Sequence, residues 1–208
     1  LSSEKAEIYG LVRSQTSNLQ NIHHILENPR LKLLRADLTD TSSLRNALVE
    51  ARPERIFHLA AQSHVPSGVT MPEETVNINI GGAVKLFEAA RHLETSPHIL
   101  VCGSAEEYGD YHPGRGLRED DPTKPNNLYG VTKLAQEKIA QYYWKAYQLP
   151  VVCSRAFAHE GPRRGREFFS SGMAEQIVRI EAGTQEPIIK HGALTAQRDY
   201  MHVRDMVR

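Results

Sequence analysis

The sequence predicts an α/β protein built on a doubly wound parallel sheet, and three observations predict it. Short apolar runs recur along the chain, helical patterns separate them, and each run is apolar nearly throughout instead of alternating. A strand apolar on both sides is buried on both faces, and a helix between two such strands returns the chain to run parallel. Sheets of this kind bind nucleotides at the carboxyl ends of their strands.

The elements follow in order. AEIYGLVR (residues 6–13) is the first strand-like run, closed by polar SQTSN. LKLLRADL (31–38) is the second. TDTSSLRNALVEA then offers Ser and Thr capping candidates, with Leu44, Ala47 and Leu48 at helical spacing. RIFHLAA (55–61) is the third strand, residues 72–93 read as one long helix, and HILVCGS (98–104) is the fourth strand. A loop rich in Gly, Pro and charge (109–127) leads to a helix over 129–147 and a strand, VVCSRAF, over 151–157. Past Ala158 the pattern changes to a basic glycine-containing loop, a helix over 171–182, short segments around Ile188 and Ile189, and a helix start in MHVRDMVR. The expected division is residues 1–157 as a nucleotide-binding domain and 158–208 as part of a smaller substrate domain.

Composition excludes several classes. The 25 basic and 25 acidic residues cancel, leaving no electrostatic footprint for nucleic acid or an anionic membrane. No apolar run approaches the ~20 residues of a membrane span, and no signal peptide is expected from the residues at the start. Cys102 and Cys153 sit within apolar runs, as buried thiols of a reducing compartment do. The expectation is a soluble, cytoplasmic protein. A Rossmann-type sheet begins with a strand and a Gly-rich turn that seats a pyrophosphate, and no GxxGxxG occurs here. The chain opens on Leu1, and LSSEK reads as the tail of a helix. The sheet is therefore expected to lack its first strand and Gly-rich turn, which about 20–30 upstream residues would supply.

The chemistry gathers at four side chains. Tyr129 and Lys133 stand four apart in LYGVTK, on one helix face, and Ser104 ends an apolar run. Tyrosine titrates near pH 10, so a base role requires Lys133 and an oxidised nicotinamide to favour the phenolate. Ser104 can hydrogen-bond a substrate oxygen, and Glu106 adds a carboxylate that plain hydride transfer does not need. At the end of the second architectural strand an acid selects NAD, whereas arginine suits a 2′-phosphate. Arg13 followed by Ser14 points to NADP, against the alternative of an ordinary surface arginine. Asp37 either accepts from an adenine amino group or caps the following helix.

These residues, with LAAQSHV, NIGGAVKLFEAAR, GSAEEYG, HEGPRRG and QRDYMHVRDMV, resemble the extended short-chain dehydrogenases/reductases, specifically the GDP-mannose 4,6-dehydratase and GDP-4-keto-6-deoxymannose reductase group. The resemblance covers the whole chain, which corresponds to roughly three-fifths of a typical member. It implies that Ser104, Glu106, Tyr129 and Lys133 are catalytic. It implies that Leu59, Ala60, Ala61, Gln62 and Ser63 line the nicotinamide side of NADP, and that Arg13, Ser14, Asp37, Leu38, Tyr129, Lys133, His159 and Arg164 also contact it. Arg198 would hold the diphosphate of a GDP-hexose, or pair with Asp199. A homodimer or homotetramer is implied by the two long helices. Ala158, Gly172 and Glu74 depart from the group's pattern, and Ser104 stands where dehydratases usually carry threonine.

Dehydration requires a carboxylate beside the serine, and Glu106 meets that requirement. Reduction of a keto sugar needs only Ser104, Tyr129, Lys133 and NADPH, and GSAEEYG resembles that branch equally well. The dehydratase reading leads, the reductase is the alternative, and a non-catalytic NADP-binding protein is the third.

Overall fold

The structure, a computed structural model, describes residues 6–14, 17–195 and 197–208. Five parallel strands form among the described residues up to 156: β1 (Ile8–Val12), β2 (Leu31–Arg35), β3 (Arg55–His58), β4 (His98–Cys102) and β5 (Val151–Ser154). They make two ladders, β1–β2 and β3–β4–β5. Among the described residues no ladder joins β1 to β3. In a Rossmann order of 3-2-1-4-5-6 the second and fourth strands flank the first and do not touch each other. The split therefore agrees with reading β1 as the architecture's second strand.

Helices α1 (Thr41–Ala51), α2 (Val65–Thr70), α3 (Pro72–Val76), α4 (Gly82–Arg91) and α5 (Leu128–Tyr147) complete this unit. Asp40 caps α1 by accepting from the Ser42 N–H at 2.9 Å, and Leu44, Ala47 and Leu48 form its buried stripe. The main core joins Leu48, Leu86, Phe87, Ile99, Val101 and Tyr143. Each large apolar side chain fully buried there contributes about 1.5–3 kcal/mol.

The strand register shows which face is packed. Ile56, Ile99 and Val151 align across β3–β4–β5 and meet the core. Their neighbours Phe57, Leu100 and Val152 align on the opposite face, where Phe57 is 64% and Val152 67% exposed. Among the described residues, the helices of this unit pack on the first of these faces.

Boundaries shift as well. The expected strand over 55–61 stops at His58, because Leu59 turns back to donate its N–H to the Phe57 carbonyl. The expected single helix over 72–93 is α3 and α4 joined through a π-helical turn, Asn77–Gly81. The sequence did not announce α2.

Residues 157–208 form a second compact unit. Here β6 (Ala158–Glu160) pairs in parallel with β7 (Tyr200–His202), flanked by α6 (Phe169–Glu181) and α7 (Val203–Met206). The three-residue pair β6–β7 went unrecognised because such short runs carry no periodicity.

Candidate active site

The carboxyl end of β4 continues into a single 3₁₀ turn, Ala105–Glu107, which Ser104 caps. The Ser104 hydroxyl accepts from the Glu106 N–H at 3.2 Å, and the Glu107 carboxylate accepts from the Ser104 N–H at 2.8 Å. This reciprocal pair is a capping box, and it fixes both Ser104 and the backbone of Glu106. Helix α5 begins alongside. Gly130 packs its Cα against this turn so closely that a Cβ would lie 2.5 Å from the Glu106 carbonyl oxygen.

Tyr129 and Lys133 project from the first turns of α5 toward the same place. The Lys133 ammonium donates to the Cys102 carbonyl at 2.8 Å and lies 5.8 Å from the centre of the Tyr129 ring. Burial pushes the Tyr129 phenol up to about 12, the adjacent Ser104 hydroxyl opposes that rise, and the negative charge of Glu106 adds to it. Lys133 is itself lowered, chiefly by burial, and its ammonium is turned to a backbone carbonyl; the expected lowering of the phenol requires an oxidised nicotinamide beside it as well. The fold thus brings together Ser104, Glu106, Tyr129 and Lys133 from two elements.

Glu106 accepts from the Asn127 side-chain amide at 2.6 Å. The Asn127 side-chain oxygen Oδ1 accepts from the Gly130 N–H at 2.8 Å and caps α5. Behind the site, Asn79 of the π-helical turn is fully buried. Its side chain binds both the N–H and the C=O of Gln62, at 2.8 and 3.0 Å, and donates to Thr132 of α5 at 2.9 Å. The loop after β3 is thereby tied to the helix that carries Tyr129. His58, at the base of that loop, is pushed down to about 4 by burial and then by the Lys133 charge. These supporting residues were missed because their partners lie 17 to 53 positions away. Only Asn127 carried a local signal, an N-cap residue ahead of the helix.

A cleft of about 640 Å³ opens at the carboxyl ends of β1 and β2, lined by Arg13, Asp37, Thr39, Glu74 and Asn77 among others. Among the described residues of that lining, Arg13 is the one cationic side chain. Asp37 accepts from the Thr39 N–H and hydroxyl at 2.8 and 2.7 Å, which hold its carboxyl below the ordinary range with help from Arg13. Asp37 is not the helix cap, a role that falls to Asp40. Ser14 turns with Ser17, donating its N–H to the Ser17 hydroxyl at 3.2 Å. Leu38 packs beside Leu44 and against Gly82, whose missing side chain leaves room for it. Of the loop residues, Leu59, Ala60 and Ser63 are exposed, and Ala61 and Gln62 half-buried.

His159, Arg164 and Arg198 belong to the second unit. His159 Nδ1 lies 3.0 Å from the Phe157 carbonyl oxygen. Arg164 pairs with Glu160 at 3.0 Å and stacks 3.8 Å from the centre of the Phe168 ring. Arg198 reaches the Gln197 carbonyl at 3.4 Å, and no ion pair with Asp199 forms among the described residues.

Comparison with known proteins converges on one family. A family model described as GDP-mannose 4,6 dehydratase matches residues 1–208. The chain is 35% identical to GDP-mannose 4,6 dehydratase 2 of Arabidopsis thaliana and 32% identical to the Homo sapiens GDP-mannose 4,6 dehydratase, covering 97% of this chain in each case. It spans 56% of the length of both relatives. Among solved structures, RMD from Pseudomonas aeruginosa complexed with NADPH superposes with a TM-score of 0.81 at 28% identity, over 96% of this chain and 69% of that one. With the serine, tyrosine, lysine and glutamate gathered at one strand end, the chain belongs to the GDP-mannose 4,6-dehydratase family.

Proposed function

We propose that the protein of which this chain forms part is an NADP-dependent GDP-mannose 4,6-dehydratase, a hydro-lyase that yields GDP-4-keto-6-deoxymannose. The observation that carries this reading is Glu106, held by Asn127 beside Ser104 and Tyr129. A carboxylate at that place is needed to remove the sugar's carbon-5 proton, and a simple reductase has no use for it.

The residues present fit NADP. The cleft at the ends of β1 and β2 offers Arg13 to a 2′-phosphate, and Leu59 to Ser63 lie beyond the end of β3. Bound NADP would supply the hydride acceptor for carbon 4 of the sugar and the hydride donor for carbon 6. Tyr129 takes the 4-hydroxyl proton, and Ser104 donates a hydrogen bond to the same oxygen as it becomes a ketone. Lys133 is fixed by Cys102 beside the phenol, where its charge together with that of an oxidised nicotinamide would favour release of the phenolic proton. The new ketone acidifies carbon 5. Glu106 removes that proton and passes it to the 6-hydroxyl, which departs as water, and the proton taken by Tyr129 ends on carbon 5 as carbon 6 is reduced.

The domain assignment follows: residues 1–157 bind NADP, and 158–208 form part of a nucleotide-sugar-binding region. His159 and Arg164 would contact the cofactor and Arg198 the diphosphate. Support for a homodimer or homotetramer comes from α5, which exposes Val131, Tyr142, Trp144 and Tyr147. A cytoplasmic location accords with the balanced charge, and no described helix is long and apolar enough to cross a membrane.

Glu106→Gln in the full-length protein tests the assignment. The variant is expected to lower dehydration by about 10²–10⁴-fold while leaving hydride transfer partly intact. Unchanged dehydration would remove Glu106 from the mechanism.

A further inference from the structure

One side chain bridges the proposed base to the helix that carries the tyrosine. The two polar atoms of the Asn127 amide are divided between them. Its Oδ1 accepts from the Gly130 N–H at 2.8 Å, and its Nδ2 donates to Glu106 Oε2 at 2.6 Å. The remaining Nδ2 proton has Asn126 Oδ1 at 3.3 Å. A cap needs only the oxygen, and Ser, Thr or Asp serve there as well as Asn. The nitrogen is what a cap does not require, and here it lies on the carboxylate.

We propose that Asn127 is a positioning residue that aims the Glu106 carboxylate at the sugar and locks it to the first turn of α5. Tyr129 is two residues further along that turn, so one amide sets the base and the phenol in register. Gly130 completes the arrangement by letting the Glu106 backbone approach the helix to a distance that no side chain would permit. Free of this bond, the glutamate would regain its rotamers, and a carboxylate poorly placed for proton removal loses most of its catalytic effect.

The kinetic test rests on the dehydratase reading and uses the full-length protein. Asn127→Ser keeps a cap and withdraws the donor; Asn127→Asp keeps a cap and sets a second carboxylate oxygen against Glu106. Both should fold with thermal midpoints close to the parent. In a single turnover with GDP-mannose, the first hydride transfer should stay within about 3-fold, whereas formation of the 4-keto-6-deoxy sugar should fall at least ~10-fold. Reduced nicotinamide then accumulates transiently, and the aspartate is the more severe of the two. A parallel fall in both steps, or no fall in either, would overturn the proposal, since a merely structural cap affects them alike.

A second readout does not depend on turnover. The Asn127 side-chain amide resonance should move when Glu106→Gln replaces its carboxylate partner, while the Gly130 backbone amide stays in place. An unmoved side-chain resonance contradicts the proposal even if the parent protein makes no keto sugar, an outcome that would count separately against the dehydratase reading.

Discussion

Two adjacent glutamates, Glu106 and Glu107, sit in different surroundings and take different tasks. Glu106 is half-buried and bonded to Asn127, whereas Glu107 is completely buried. The sequence singled out the first through the chemistry it could do. The second was invisible as a support, because its meaning lies in Arg155 and Glu137, distant in the chain. Arg155 binds Glu137 at 2.7 Å and reaches Glu107 only at 3.5 Å. Burial, helped by the neighbouring Glu137 carboxylate, therefore wins at Glu107 and raises it to about 7, against the pull of the Ser104 N–H and of Arg155. In the unfolded chain a glutamate titrates near 4.3. Between that value and about 7 the native state binds more protons than the unfolded one, so this group makes stability fall as pH rises through the window. Glu107→Gln should abolish that slope, improving stability relative to the parent by about 1–3 kcal/mol at pH 8 and by little at pH 5. Denaturant titrations at the two pH values measure it, and an equal difference at both would contradict the assignment. His58 acts with the opposite sign: held neutral and lowered to about 4, it costs stability as pH falls from its unfolded value near 6.5.

At the scale of elements, the joint between the 3₁₀ turn and α5 decides the site. Alanine has a higher helix propensity than glycine by about 1 kcal/mol, so Gly130→Ala would stabilise an isolated α5. In the protein the new Cβ would meet the Glu106 carbonyl oxygen at 2.5 Å, and backbone would have to move. The variant is expected to be less stable by about 1–3 kcal/mol and to lose activity; a stabilised, active variant would show that the joint is loose. The elements themselves were legible wherever apolar periodicity ran long. The helix over 129–147 emerged as Leu128–Tyr147, and that over 171–182 as Phe169–Glu181. Strands were read too long at their carboxyl ends. Leu59, Ala60 and Ala61 look like strand, yet they turn off to form the loop that Asn79 holds. The π-helical turn that places Asn79 beneath that loop has no signature in composition or period, because its register depends on Gln62, Thr132 and Gln136.

At the scale of the molecule, one unit carries the proposed chemistry and the cleft proposed for the cofactor's adenosine end, and its strands form two parallel ladders. The fold class could be read from the alternation of strands and helices. The division into two ladders could not, because pairing depends on which strands lie side by side. The match across residues 1–208 establishes the family, while the reaction is inferred from four side chains and the bond that orients one of them. The most direct test supplies GDP-mannose to the full-length protein with catalytic NADP and no added NADPH. A dehydratase regenerates its cofactor in each cycle, so the account predicts many turnovers to a 4-keto-6-deoxy sugar with no net change in NADP. No product from GDP-mannose, together with stoichiometric NADPH consumption when the keto sugar is supplied, would contradict it and identify a reductase.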